Sequence, residues 1–159
     1  LIFAIVGTQR FPFNRMFELI DEAIESGIIE EEVVAQSGYT EYQPRNFTVI
    51  PFLTQEEMNE YVVRSRCIIS HAGVGSITNC LERGKPVIVI PRRKEWGEHV
   101  DDHQLEISKV FQDNGYVAVA ESQAELQKLV PCIEELTFQP YVRKQSDLIS
   151  SIKNYVNSL

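Results

Sequence analysis

The chain is short of cations. Lysine and arginine total 15 against 23 aspartates and glutamates, for a formal net charge of −8 and an isoelectric point near 4.9. That balance argues against a general nucleic-acid binder, which needs a basic face to displace counterions from phosphates. The one concentrated basic run is Arg92-Arg93-Lys94. Cysteine is scarce as well. Cys67, Cys80 and Cys132 are odd in number, far apart and without a CxxC, so neither a disulfide framework nor a cysteine metal site is indicated. Each lies among apolar residues and reads as a small core side chain in a reducing, cytoplasmic compartment. Long hydrophobic runs are missing: Leu1–Val6 is too short for a signal sequence or a membrane span, lacks a basic flank and ends at Gly7-Thr8. Any work at a membrane is therefore expected to depend on another molecule for recruitment. The turn Gly7-Thr8-Gln9-Arg10-Phe11-Pro12 lacks GxGxxG, which disfavours a nicotinamide-dependent oxidoreductase. There is no repeat, linker or low-complexity segment, and 159 residues are expected to form a single domain over 1–159.

What is present alternates. Leu1–Val6 is a buried-strand candidate, and the spacing of Phe13, Phe17, Ile20 and Ile24 predicts a helix up to Gly27. Glu30-Glu31-Glu32 reads as a solvated loop. Val33–Gln36 and Phe47–Phe52 are further strands, and Thr54 with Glu57 forms a capping box for a helix to about Arg64. Cys67–Ile69 leads into Ser70-His71-Ala72-Gly73-Val74-Gly75-Ser76, a helical pattern, Gly84-Lys85-Pro86, and the strand Val87–Ile90. Asp102–Gln112 reads as a helix, Tyr116–Ala120 as a last strand, and Gln123–Val130 as a helix capped by Ser122 with Glu125 as box partner. Leu148, Ile149, Ile152, Tyr155, Val156 and Leu159 form one stripe of a terminal helix, a surface for a partner or for the domain's own sheet. Strand and helix alternation makes the class α/β with an open, mostly parallel sheet.

In such a sheet the strand-end loops open at one carboxyl edge, where ligands bind. Two glycines and a serine at a helix start allow backbone N–H groups to approach a phosphate, and the helix dipole favours the anion. His71, at the end of a strand, is a candidate donor to a phosphate oxygen or a histidine satisfying turn carbonyls. Ser76 is a helix cap, a phosphate ligand, or both. Glu98, His99, Asp102, His103 and Gln104 make a second polar cluster. His99 and His103, four apart, could chelate zinc on one helical face, yet the segment is not HExxH and no third ligand is evident. Recognition of sugar hydroxyls is the alternative, with Gln104 aimed at the crevice; the plainest reading is a solvated helix start in which Asp101 and Asp102 complement the dipole. Arg92, Arg93 and Lys94 read as exposed loop charge or as a neutraliser of diphosphate or of an anionic lipid carrier. Phe52 and Leu53 could pack on a nucleobase or in the core.

Taken jointly, His71-Ala72-Gly73-Val74-Gly75-Ser76-Ile77-Thr78-Asn79 with Gly84-Lys85-Pro86 resembles the donor-binding signature of GT-B nucleotide-sugar glycosyltransferases. The similarity is to their carboxyl-terminal half, the glycosyltransferase 28 C-terminal family, a Rossmann-like open parallel sheet flanked by helices. Val6-Gly7-Thr8-Gln9, Gln36-Ser37-Gly38 and Pro91-Arg92 through Gly97-Glu98-His99 to Asp102-His103-Gln104 narrow it to the small catalytic subunits of split transferases. The resemblance covers Ile2 to about Tyr116. It implies hexosyl transfer, with inversion, from a UDP-sugar to a polyprenyl-diphosphate-linked acceptor, as in capsule or exopolysaccharide synthesis. It implies that Gly7, Thr8, His71, Gly73, Gly75 and Ser76 surround the diphosphate and that Phe52 and Leu53 flank uracil. Asn79 stands where relatives hold ribose with an acidic residue, and His103 and Gln104 where they contact the donor sugar. No metal and no cofactor is implied, since the dipole and donors stabilise departing UDP. The acceptor-binding half of a GT-B enzyme has no counterpart in these 159 residues, so a second, membrane-associated subunit at the cytoplasmic face is expected to bind the acceptor and supply the base. Glu98 or His99 are the candidates for assistance on this chain. A non-catalytic donor-binding or scaffold subunit is the rival reading.

Overall fold

A computed structural model of the chain describes residues 1–141. Six strands form one all-parallel sheet: β1 (Ile2–Ile5), β2 (Val33–Gln36), β3 (Thr48–Ile50), β4 (Cys67–Ser70), β5 (Val87–Val89) and β6 (Ala118–Val119), in the order β3-β2-β1-β4-β5-β6. Among the described residues five α-helices accompany them: α1 (Asn14–Glu25), α2 (Gln55–Arg64), α3 (Val74–Glu82) and α4 (His103–Asp113) run between strands, and α5 (Gln123–Cys132) follows β6. The terminal stripe Leu148–Leu159 lies outside the described residues.

The order follows from side-chain alternation. Successive strand residues point to opposite faces, and a parallel sheet covered on both sides needs both sets apolar. Ile2 and Ala4 of β1, with Val6 just beyond it, pack with Phe13, Phe17 and Ile20 of the α1 side and with Leu126 and Val130 of α5. Phe3 and Ile5 pack the other way, against Val62 of α2, Ile77 and Cys80 of α3, and Phe111 of α4. Starting at the centre, the chain winds outward through β2 and β3, then crosses back beyond β1 to β4. The strand order therefore reverses between β1 and β4. The loops leaving these two strands diverge there and leave a crevice at the carboxyl edge, the place where doubly wound sheets take ligands.

Local signals held with small shifts. Thr54 Oγ1 accepts from Glu57 N at 3.1 Å and Glu57 Oε1 accepts from Thr54 N at 3.0 Å, a complete capping box. Ser122 caps α5 through Glu125 N, but the Glu125 carboxylate receives the Ser122 hydroxyl, so that half of the expected box is a side-chain contact. The predicted strands at 47–52 and 116–120 shrink to three and two residues, because they lie at the sheet edges with one partner each. Glu31 is not a purely solvated loop residue: its carboxylate pairs with Arg66 at 2.6 Å. Cys67 and Cys80 are buried as expected, and burial pushes their thiols up to about 11 and about 12; Cys132 is only half-buried.

Candidate functional site

The crevice between the β1 and β4 ends is a cleft of about 320 Å³. Gly7, Thr8, Leu53, His71, Gly73, Gly75 and Ser76 line it, seven of the eleven residues named for donor binding. Ile5, Gln9, Gln36, Gln55 and Met58 complete the wall. Phe52, Asn79, His103 and Gln104 do not line it.

The first wall is the turn after β1. Gly7 sits at φ +82°, where a side chain is strained, and a Cβ there would fall 2.6 Å from His71 Nε2. Gln36, buried at the end of β2, holds this turn with both ends of its amide. Its Oε1 accepts from Gly7 N at 2.9 Å, and its Nε2 donates to Gly7 O and Pro51 O at 3.0 Å each. In the sequence Gln36 stood only as the last residue of the strand Val33–Gln36 and the first of the Gln36-Ser37-Gly38 turn, with no role in the site. The available signal was a polar residue closing an otherwise apolar strand.

The second wall is the turn after β4 and the start of α3. Gly73, not Ser76, is the N-cap, and Ser76 lies in the first helical turn. The serine is therefore not a helix cap, and its hydroxyl sits 3.4 Å from His71 Nε2. Gly73 brings no side-chain acceptor to the helix start, which leaves first-turn N–H groups, the positive end of the dipole, to face the cleft. A Cβ on Gly73 would stand 2.5 Å from His71 Cε1. The imidazole edge is thus held between two glycine Cα atoms. His71 is 4% exposed; its burial, helped by the charges of Arg92 and His99, pushes its pKa down to about 3. It is a neutral ring at any physiological pH.

Behind the ring the structure corrects several expectations. Gln104 is buried and does not aim at the crevice: its Oε1 accepts from Ala72 N and Arg92 N, both at 3.0 Å, and its Nε2 lies 3.2 Å from His71 Nδ1. Arg92 is neither exposed loop charge nor a diphosphate neutraliser. It is fully buried, donating to Val6 O at 2.7 Å, Phe11 O at 2.6 Å and Glu98 O at 3.0 Å, with its guanidinium over the Phe13 ring. Burial lowers its pKa to about 10, still charged at neutral pH. Arg93 is half-buried and pairs with Glu121, leaving Lys94 as the exposed member of the run. Glu98, a candidate for assistance in catalysis, is also buried. Its Oε2 accepts from Arg15 Nε at 3.0 Å, and its Oε1 from Arg15 Nη2 at 3.1 Å and Arg93 N at 2.9 Å. Both oxygens are occupied in holding the loop after β5 to α1, so the carboxylate is not placed to take an acceptor proton.

His99 and His103 do meet, but on a carboxylate. His99 Nδ1 is 3.0 Å from Asp101 Oδ1 and His103 Nδ1 is 3.2 Å from Asp101 Oδ2. Among the described residues no group of three or more histidine, cysteine or acidic side chains is arranged to hold a metal ion. Asn79 donates to Asn59 Oδ1 at 3.1 Å, on the side of α3 that faces α2. Phe52 is half exposed and stacks edge-on with Tyr39 at 5.3 Å, outside the cleft.

Comparison with known proteins agrees with this architecture. The family model for the glycosyltransferase family 28 C-terminal domain matches residues 1–156. A Candida albicans protein named UDP-N-acetylglucosamine transferase subunit ALG13 is 37% identical over 79 residues, 50% of this chain and 26% of its own length. A Clostridium tetani protein is 26% identical over 138 residues, 84% of this chain and 34% of its own length. Its name is UDP-N-acetylglucosamine--N-acetylmuramyl-(pentapeptide) pyrophosphoryl-undecaprenol N-acetylglucosamine transferase. The matched stretches thus take up about a quarter to a third of these relatives. Among solved structures, an NMR solution structure of ALG13 superposes with a TM-score of 0.57 at 20% identity, covering 87% of each chain; at that identity it speaks for the fold. Among the described residues no helix is long and apolar enough to cross a membrane.

Proposed function

The chain belongs to the glycosyltransferase family 28 C-terminal domain family, and from that premise we propose that it is the donor-binding subunit of a UDP-sugar glycosyltransferase. The observation that carries the reading is the convergence, at the β1/β4 switch point, of the Gly7-Thr8 turn, the uncapped start of α3, Ser76 and the buried edge of His71. These groups are hydrogen-bond donors or close backbone approaches, suited to a diphosphate. UDP-N-acetylglucosamine is the first donor to consider, because both relatives described above are named for its transfer. Leu53 and Met58 offer the cleft an apolar side for the base.

The chemistry is displacement at the anomeric carbon with inversion. An acceptor hydroxyl oxygen forms the new C–O bond while the bond to the β-phosphate oxygen breaks, and the electron pair leaves with UDP. Charge grows on that phosphate in the transition state, and oriented N–H and O–H donors fixed beforehand stabilise it without reorganisation. The acceptor proton goes to a base on a second polypeptide, which binds a polyprenyl-diphosphate-linked acceptor and recruits this chain to the cytoplasmic face of a membrane. Support for a partner is that the Candida relative is named a subunit, and support for a polyprenyl carrier is the undecaprenol in the Clostridium relative's name.

Calorimetric titration of the purified chain with UDP, then UDP-N-acetylglucosamine, UDP-galactose, UDP-glucose and UDP-glucuronate, tests the reading. UDP is expected to bind, and the pair His71→Ala with Ser76→Ala to abolish binding while the fold is retained. Binding that survives the pair, or no nucleotide binding even with the partner polypeptide present, would overturn it.

A further inference from the structure

We infer that Gln104 is a positioning residue that locks His71 as the Nε2–H tautomer, so that the ring presents one fixed N–H donor to the cleft. That this donor meets a diphosphate rests on the reading above; the lock itself rests on geometry alone.

The argument is a count of donors and acceptors. Ala72 N and Arg92 N, from the turns after β4 and β5, both point at the same atom of the Gln104 amide, each at 3.0 Å. A backbone N–H only donates, so that atom is the oxygen and the amide cannot be flipped. The amide nitrogen must then face His71 Nδ1, as it does at 3.2 Å. An NH₂ group only donates, so Nδ1 must offer a lone pair. A neutral imidazole with a bare Nδ1 carries its proton on Nε2. Nε2 is the atom beside Ser76 Oγ at 3.4 Å, on the edge that lines the cleft.

Rotation cannot undo this. The Nε2–Cε1 edge is clasped between Gly7 and Gly73, where the space a Cβ would need is already taken by the ring. Protonation of Nδ1 would set N–H against N–H. The charged or titratable groups acting on the ring, Arg92 from the turn after β5 and His99 from the loop before α4, both oppose a positive imidazole. Gln104 is itself 3% exposed, so its influence on a ligand passes through the histidine.

The test reads the proton directly. Long-range proton–nitrogen correlation spectra of the chain with labelled histidine report, for each ring nitrogen, whether it carries hydrogen. His71, assigned by its loss in His71→Ala, is expected to show a bare Nδ1 and a protonated Nε2, unchanged from pH 8 to pH 5. Gln104→Glu puts a carboxylate oxygen where the NH₂ stood, and an acceptor there calls for a proton on Nδ1. The variant should therefore shift His71 to an Nδ1-protonated form and make UDP affinity depend on pH, which removal of a structural contact alone would not do. Gln104→Met, which frees the ring's tautomer, should weaken UDP about 5- to 10-fold, the worth of one lost hydrogen bond. A protonated Nδ1 in the unmodified chain overturns the lock, and that spectrum needs no variant to fold. Nδ1 remaining bare in a folded Gln104→Glu at a pH where the new carboxyl is ionised overturns it too. If the unmodified pattern is as expected but UDP never perturbs the Nε2 proton, the lock stands and the diphosphate reading falls.

Discussion

Gly73→Ala is expected to destabilise the fold by about 1.5–4 kcal/mol, and removing the His71 ring should cancel most of that loss. Backbone conformation is not the cause: Gly73 has φ −84° and ψ 127°, which alanine adopts freely. Two effects remain. Alanine is a poorer N-cap than glycine, at a cost of roughly 0.5–1 kcal/mol. The new Cβ would also sit 2.5 Å from His71 Cε1 and 2.8 Å from Nε2, inside contact distance of a ring that Gly7 blocks on its other side. Forcing a methyl into such a packed place costs about 1–3 kcal/mol. Gly75, two residues on in the same helix, is the internal control. A Cβ there meets nothing within 4 Å, so Gly75→Ala should stabilise by about 0.5 kcal/mol through helix propensity while placing a methyl in the cleft. Urea unfolding of Gly73→Ala, Gly75→Ala, His71→Ala and the Gly73→Ala/His71→Ala pair gives the coupling directly. The cap term appears in both backgrounds and cancels; the clash appears in one. A coupling near zero would refute the idea that the glycine exists to seat the histidine.

Arg92→Met should cost about 3 kcal/mol or more in urea unfolding, since it strips the donors from Val6 O, Phe11 O and Glu98 O, each buried acceptor being worth about 1–3 kcal/mol when orphaned. Arg92→Lys should recover only part, because an ammonium cannot span three carbonyls from two loops; full recovery would show that charge alone matters. His71 also makes acid stability testable. Its folded pKa, about 3, lies below the unfolded value near 6.5, so the unfolded chain binds the proton first as pH falls. The contribution of the neutral ring is whole above about pH 6.5 and is lost as pH drops from there towards 3, at up to about 1.4 kcal/mol per pH unit. Unfolding of the unmodified chain compared with His71→Asn, pH by pH, should show the two curves converging between pH 6.5 and 4.5, above the range where the paired carboxylates Glu31 and Glu57 add their own acid loss. Parallel curves would mean that the ring is not held neutral.

Which parts of this were legible beforehand follows from the range of the forces involved. The alternation of apolar strands and helical stripes is local, and so is the Thr54–Glu57 box; both could be read from neighbouring residues. Gly7, Thr8, His71, Gly73, Gly75 and Ser76 come together because β1 and β4 are adjacent at the switch point, a consequence of topology that the strand–turn–helix pattern already implied. Arg92 was not legible. Nothing in Arg92-Arg93-Lys94 says which of three cations turns inward, and the carbonyls that receive it, Val6 O and Phe11 O, lie more than eighty residues away in the chain. Glu98 was misplaced for the same reason, since its partner Arg15 comes from the first helix.

The two buried glutamines show why the site takes this form. At Gln36 the amide must accept from Gly7 N while donating to Gly7 O and Pro51 O; at Gln104 it must accept from two backbone N–H groups while donating to His71. A carboxylate would only accept and an ammonium would only donate, whereas a neutral amide, with its acceptor and its two donor hydrogens on separate atoms, meets both demands without burying a charge. The same economy runs round the cleft. None of the residues lining it carries a formal charge once His71 is neutral, in a chain whose net charge is −8. On the proposed reading, attraction for a phosphate comes from the helix start and from N–H and O–H groups aimed in advance, in turns held by Gln36, Gln104 and Arg92. These three residues act, on that reading, by holding in place the turns that carry those donors. That is also why a resemblance resting on motif positions assigned Gln104 to the donor sugar: spacing marks which residue belongs to the site, but not which side of the histidine it stands on.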